Sequence, residues 1–339
     1  MEKLLAGLLA ALQEPVIAAM NGRAEIWNAP AEVCFPALSR GAEMREYLPE
    51  ELTEENAVCG SCDAGIVRVA QWNGYRLYTI LRESVEPSVL TSAGSEMRDI
   101  LSIVALVRDR AGEQKPEDEK QMRYAAMLNK SFYRLTRMAD HLALLGERES
   151  ALQRKSFDFA ELLRSLAMSV ETRTGRCILV EAEAEHYYGG DRELLERLCL
   201  NLLSNALKYA PEGKIRLRLQ KKRGRTVLTV ADEGAGMAPE NMQAALLGAG
   251  GRTELSDPSK GVGLGLAVVR RIARLHGGTV VMESAAGKGT RVTVSLPEAE
   301  MPDTLCSQVT PYASRGIDPV LEELSDILDW KVYRSLFAD

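Results

Sequence analysis

The segment DRELLERLCLNLLSNALKYA places Asn201, Asn205 and Lys208 at i, i+4 and i+7, on one face of a helix. Leu195, Leu202 and Ala206 lie roughly opposite, and Asp191 suits the helix N-cap. An amide oxygen in such a stripe suits Mg²⁺ and an ammonium suits a phosphate. A solvated helix face looks the same when taken alone. Further on, the β run in TVLTVADEGAGM ends at Asp232 and enters a turn with Gly234 and Gly236. A carboxylate at a strand end can accept a hydrogen bond from an exocyclic amine such as that of adenine. The glycines let the backbone approach a flat ring, although DxGxG by itself is an ordinary turn signature. In SKGVGLGLAVVRRIARLHGG, Gly261, Gly263 and Gly265 precede and open a helix. Their N–H groups and the helix dipole make an anion site suited to a triphosphate. The spacing is GxGxG, which differs from the dinucleotide fingerprint. Gly287, Gly289 and Thr290 then close a strand-turn-strand in AAGKGTRVTVSLP.

The elements that hold these residues belong to a chain of 339 residues, long enough for two or three domains. A hydrophobic share of 46% beside 27% charged residues is that of a folded globular chain. The net charge of −6 gives no electrostatic reason to expect nucleic acid or an anionic membrane as partner. No apolar run is long enough to span a bilayer. In MEKLLAGLLAAL, Leu4, Leu5, Leu8, Leu9 and Leu12 share a helical face, so the segment reads as a docked amphipathic helix rather than a signal peptide. Of six cysteines, Cys59 and Cys62 form a CxxC with no second pair at zinc spacing; they read as ordinary cysteines near a turn, in a reducing cytoplasm.

Four regions follow. Residues 1–86 form a small mixed module, with hairpins turned at Asn21-Gly22 and Asn73-Gly74. Residues 87–149 carry two seams with alternating three- and four-residue spacing. The first runs Leu90, Ala93, Met97, Ile100, Val104, Val107, Ala111; the second runs Tyr124, Leu128, Ser131, Leu135, Met138, Leu142, Leu145. A break at Pro116 makes them an antiparallel hairpin. One hairpin cannot bury both seams, so a four-helix bundle in a homodimer is expected. Residues 150–298 alternate helix and strand. In the tail, 299–339, VLEELSDILDW reads as a short helix whose Val320, Leu321, Leu324, Ile327 and Leu328 need a surface to cover.

Taken in order, the three nucleotide boxes over about 140 residues resemble the ATP-binding fold shared by histidine kinases, DNA gyrase and the mismatch-repair ATPases. The resemblance implies that Asn205 ligates Mg²⁺ with Asn201 nearby, Lys208 meets phosphate, Tyr209 flanks the base and Asp232 reads the adenine amine. It also implies that Gly263 and Gly265 cradle phosphates, with Gly234, Gly236, Gly261, Leu266 and Thr290 completing the ATP site. Residues Ala238 to Lys260 would be a lid, in which MQAALLGAGGRT replaces the family's aromatic pair. The stretch PVIAAMNGRAEIWNAPA resembles a PAS-type sensory domain, over about the first 40 residues, and a packing module without ligand fits as well. The expected fold is multidomain α+β: a PAS-like domain, a dimerising helical hairpin, then the α/β sandwich ATP-binding domain.

In histidine kinases the hairpin carries a phosphoacceptor in a stretch like His-Glu-Leu-Arg-Thr-Pro-Leu. Here Ser95-Glu96-Met97-Arg98-Asp99-Ile100-Leu101 takes that place, with Ser95 at the histidine position. A neutral imidazole attacks readily near pH 7, whereas a serine hydroxyl needs a positioned base, for which Glu96 is adjacent. A phosphoserine ester is also too stable for a relay that uses a labile phosphoramidate. Asp99, one turn later, sets a repelling charge where a partner's phosphoaspartate would be hydrolysed. His141, His186 and His276 read as structural. The expectation is therefore a cytoplasmic, sensor-kinase-like protein that binds Mg-ATP and has lost autophosphorylation, with a response regulator or another kinase as partner. A serine protein kinase and a non-catalytic ATP-gated binding module are the alternatives.

Overall fold

Two Asn-Gly turns in the first 80 residues set the register of the N-terminal module. The computed structural model describes residues 2–54, 59–62, 64–81, 97, 119–146, 152–237, 242, 264–298 and 317–337. Strands β1 (Val16–Met20) and β2 (Arg23–Trp27) turn at Asn21 and Gly22, whose φ values of 52° and 77° are those of a type I′ hairpin. β4 (Gly65–Trp72) and β5 (Tyr75–Leu81) repeat the device at Asn73 and Gly74. Helix α1 (Glu2–Ala10) buries Leu5 and Leu9 against this sheet but leaves Leu8 and Leu12 exposed. The short helices α2 (Ala29–Cys34) and α3 (Glu50–Thr53) complete the module; Asn28 caps α2 and its amide also bonds the carbonyls of Leu9, Leu12 and Glu14.

The CxxC forms a short strand that ends beside a turn, where Cys62 pairs with Gly65 of β4. β3 (Cys59–Cys62) pairs with β4 on one side and, through Gly60 and Cys59, with β11 (Thr279–Ser284) on the other. One ten-stranded sheet results, in the order β2-β1-β5-β4-β3-β11-β12-β10-β9-β7. It runs through both the N-terminal module and the nucleotide region. Cys59 is buried, and burial pushes its thiol up to about 12, so it acts as a small core residue and not as a thiolate.

In the second half, β9 (Ile215–Lys222), β10 (Arg225–Asp232) and β12 (Thr290–Pro297) form an antiparallel meander with β11, and β7 (Ile178–Glu181) joins β9 in parallel. Ile215, Leu217 and Leu219 point inward while Arg216 and Arg218 point out, the alternation of a half-covered sheet. Three helices lie on the sandwich side: α5 (Phe159–Thr174), α6 (Arg192–Tyr209) and α7 (Gly265–Leu275). β6 (Lys155–Asp158) and β8 (Tyr187–Gly190) make a separate pair.

Helix α4 (Glu119–Gly146) follows the second seam. Away from the seam, Ala126, Phe132, Tyr133, Ala139 and Leu144 are buried in the core shared with the helices and strands of the second half. Tyr124, Leu128 and Leu135 of the seam are 60%, 55% and 44% exposed. The first hairpin helix lies outside the described residues apart from Met97, which is helical and packs on the core. In the tail the regular helix is shorter than the pattern predicts. α8 (Pro319–Glu323) stops after five residues, and a 3-10 helix follows at Trp330–Phe337. Val320, Leu321, Leu324 and Leu328 are nevertheless buried and Ile327 packs beside them.

Candidate nucleotide-binding site

The last residue of β10 and the last turn of α6 meet at one small cleft of about 30 Å³. Asn205, Tyr209, Asp232, Leu266 and Thr290 line it, together with Met237. Leu202, Ala206, Val230 and Val292 provide an apolar floor suited to a flat ring. Five of the residues singled out in the sequence are thus brought together. Leu202 and Ala206, expected roughly opposite Asn205, share the cleft with it; Met237, Val230 and Val292 were not singled out, and the signal for the two valines was the alternation of β10 and β12.

Asp232 is oriented by two backbone donors: Gly234 N–H at 2.9 Å and Thr290 N–H at 3.3 Å, both to Oδ1. Oδ2 has no hydrogen-bond partner among the described residues. Burial pushes the carboxyl above its ordinary value, and these two bonds only partly offset it. Ser284 Oγ accepts from Met237 N–H at 2.9 Å and donates to Gly289 O at 2.9 Å, fixing the turn that carries Met237 to the Thr290 strand.

The glycines serve the protein's own chain as much as any ligand. A Cβ on Gly234 would run into the Tyr209 carbonyl, and one on Gly236 into the carbonyls of Ala285 and Gly289. The first contact joins the turn after β10 to the end of α6, and the second joins it to the turn between β11 and β12. Gly265, the first residue of α7, is pressed on α6 in the same way: its Cβ would lie 2.9 Å from Asn201 Oδ1. Asn201 is 3% exposed and its amide donates to Arg197 O at 2.9 Å within α6, which leaves its Oδ1 facing Gly265. Asn205 is half-buried, and its Nδ2 has no partner among the described residues. The Lys208 ammonium lies 5.0 Å from the centre of the Tyr209 ring at the cleft mouth. Leu264 precedes α7 without a capping side chain. Gly261, Gly263 and the lid segment from Ala238 to Lys260 lie outside the described residues except for Met242, which is buried. Ser95, Glu96 and Asp99 also lie outside them.

The histidines have structural partners. His141 and His186 are buried against Glu323 and Thr226. His276 caps the C-terminal end of α7 and accepts from Asp191 N–H, the N-cap of α6. No described helix is long and apolar enough to cross a membrane.

Residues 190–300 match the family of histidine kinase-, DNA gyrase B- and HSP90-like ATPases. Among known proteins the chain is 32% identical over 239 residues to the histidine protein kinase DivJ of Caulobacter vibrioides, covering 66% of this chain and 39% of that one. It is 29% identical over 265 residues to the sensor histidine kinase ZraS of Klebsiella oxytoca, covering 71% and 56%. The chain therefore spans only about half or less of the length of these relatives. Among solved structures, full-length ShkA in complex with AMPPNP aligns with a TM-score of 0.51 at 26% identity, over 63% of this chain and 46% of that one.

Proposed function

We propose that this chain is a sensor-histidine-kinase-like signalling protein that binds Mg-ATP and has lost phosphoacceptor-dependent autophosphorylation. The observation that carries the reading is the convergence of Asn205, Tyr209, Asp232 and Thr290 on one apolar cleft within a domain of the ATPase family. The adenine ring lies on the floor of Leu202, Ala206, Val230 and Val292, with Tyr209 at its edge. The free Oδ2 of Asp232 accepts from its exocyclic amine. The donor set suits the ion as well. The unpaired Asn205 amide stands beside Gly265, so its oxygen can meet Mg²⁺ while its nitrogen meets a phosphate oxygen. Lys208 supplies a cation at the cleft mouth, and Gly263 and Gly265 are assigned to the phosphates. The bound nucleotide supplies a transferable phosphoryl group.

Residues 1–86 serve in this reading as a PAS-like input module, 87–149 as the dimerising hairpin, 150–298 as the ATP-binding domain and 299–339 as its tail. The exposed seam of α4 supports pairing with a second copy. With Ser95 where a histidine is needed, the output is a contact with a response regulator or an active kinase rather than a phosphoryl relay. The test is incubation of the purified chain with γ-labelled ATP and Mg²⁺, then acid and base treatment of the protein. The reading expects bound nucleotide and no label. Acid-labile, base-stable label would overturn it, and acid-stable label lost in Ser95→Ala would replace it with a serine kinase.

A further inference from the structure

Residues 317–337 lie between two bodies, helix α4 on one side and α5 and α6 of the ATP-type domain on the other. Their apolar side chains join the common core. The Tyr333 ring lies 5.4 Å from that of Tyr133 on α4, and its hydroxyl donates to Leu321 O at 2.8 Å. Their polar contacts divide between the two bodies. From α4, Lys130 Nζ donates to Leu328 O at 2.6 Å, Arg137 pairs with Asp326, and His141 Nε2–H donates to the Glu323 carboxylate at 3.1 Å. From α5 and α6, Arg173 pairs with Asp318 at 2.5 Å, Arg197 lies 3.5 Å from Glu323 and Ser204 Oγ donates to Glu323 O at 3.1 Å.

Glu323, 2% exposed, is thus one carboxylate shared by both bodies. Burial pushes its carboxyl up, but His141, Arg197 and Arg137 outweigh that and hold it below its ordinary value, so it stays ionised. A purely structural terminal segment is best served by hydrocarbon. This one instead sets acidic residues on a basic trough and buries the Ser325 hydroxyl with no partner among the described residues. Buried charge pairs are costly to desolvate and strict in geometry, so beside the apolar packing they fix one docked register, and loss of one partner undoes it.

We propose that residues 317–337 are a detachable strap that fixes the ATP-binding domain against helix α4, and that their release frees the domain to move relative to that helix. This deepens the proposed function, because the body being held is the one assigned to ATP. The Arg197–Asp140 pair, at 2.9 Å, is a direct link from α6 to α4 that the strap reinforces.

The test is hydrogen–deuterium exchange on the full chain: wild type, Glu323→Gln and Asp326→Asn. Both replacements keep shape and remove charge. Each is expected to speed exchange about tenfold over 319–333 and, in step, over 126–144, with α6 unchanged. Faster exchange in the tail with α4 as protected as before would overturn the proposal, as would a tail no faster than in wild type. The ATP-induced thermal shift is recorded on the same samples. Its absence in wild type would remove the nucleotide reading, while the exchange comparison would still decide the strap.

Discussion

The backbone N–H of Asp191 donates to His276 Nε2 at 3.1 Å and so ties the start of α6 to the end of α7. His276 Nδ1–H in turn donates to Ile272 O at 2.9 Å. Both ring nitrogens are used, and the ring must be neutral for Nε2 to accept. The two helices that border the cleft are thereby braced at the end remote from it.

That bond predicts how stability depends on pH. Burial lowers the His276 pKa below 6.5, so the unfolded chain binds the proton more readily than the folded one. The contribution is complete above about pH 6.5 and is lost as pH falls below it. Thermal unfolding from pH 7.5 to 5.5 should show Tm falling in wild type and a shallower fall in His276→Gln, with His186 contributing in the same direction to both. Equal slopes would remove His276 from the account.

Asp232→Asn should separate stability from binding. Burial raises the Asp232 pKa, so the ionised form is disfavoured in the folded state; that penalty is absent at low pH and grows as pH rises through the folded pKa. An amide keeps an acceptor for Gly234 and Thr290 without the charge. The nucleotide-free variant should therefore melt at or above the wild-type temperature at pH 7. A lower Tm would show that the carboxylate is needed for the fold.

Gly265→Ala places a methyl 2.9 Å from Asn201 Oδ1, between α6 and α7. Overpacking of this kind costs about 1–3 kcal/mol. Urea unfolding should report a loss of that order together with weaker ATP binding, whereas Gly7→Ala on α1, whose Cβ would meet nothing, leaves binding unchanged.

At Gly60 the N-terminal module packs against β11. A Cβ there would lie 2.7 Å from both Val280 O and a Leu52 methyl. Ser61 Oγ accepts from Val280 N–H at 3.1 Å beside it. Gly60→Ala should pry β3 from β11, raising amide exchange in Val281 and Met282 by about tenfold or more. Unchanged protection would mean that the ten-stranded sheet does not depend on this contact.

The Asn-Gly turns, the Asp191 cap and the Asp232 strand end were legible because each is fixed by short-range chemistry. The β3–β11 junction was not. CGSC is poor in strand formers, and pairing between residues 60 and 281 leaves no local trace. The glycine boxes were legible as a pattern, but their reasons were only half seen, since Gly234, Gly236 and Gly265 make room for neighbouring protein atoms. The tail showed its apolar stripe, yet the burial of Glu323 depends on hydrogen-bond and charge partners from two distant helices, which no periodicity encodes.

The most direct test of the nucleotide assignment is calorimetric titration of Mg-ATP into wild type, Asp232→Asn and Asn205→Ala. Hydrogen bonds to a charged acceptor contribute about 1.5–3 kcal/mol, so Asp232→Asn should weaken binding roughly 10- to 150-fold. Asn205→Ala should weaken it with Mg²⁺ present and much less with the metal chelated. In wild type, ligand at a hundredfold excess over Kd should add about 2.7 kcal/mol of folding stability. Undiminished binding in both variants, or no binding to wild type, would contradict the site.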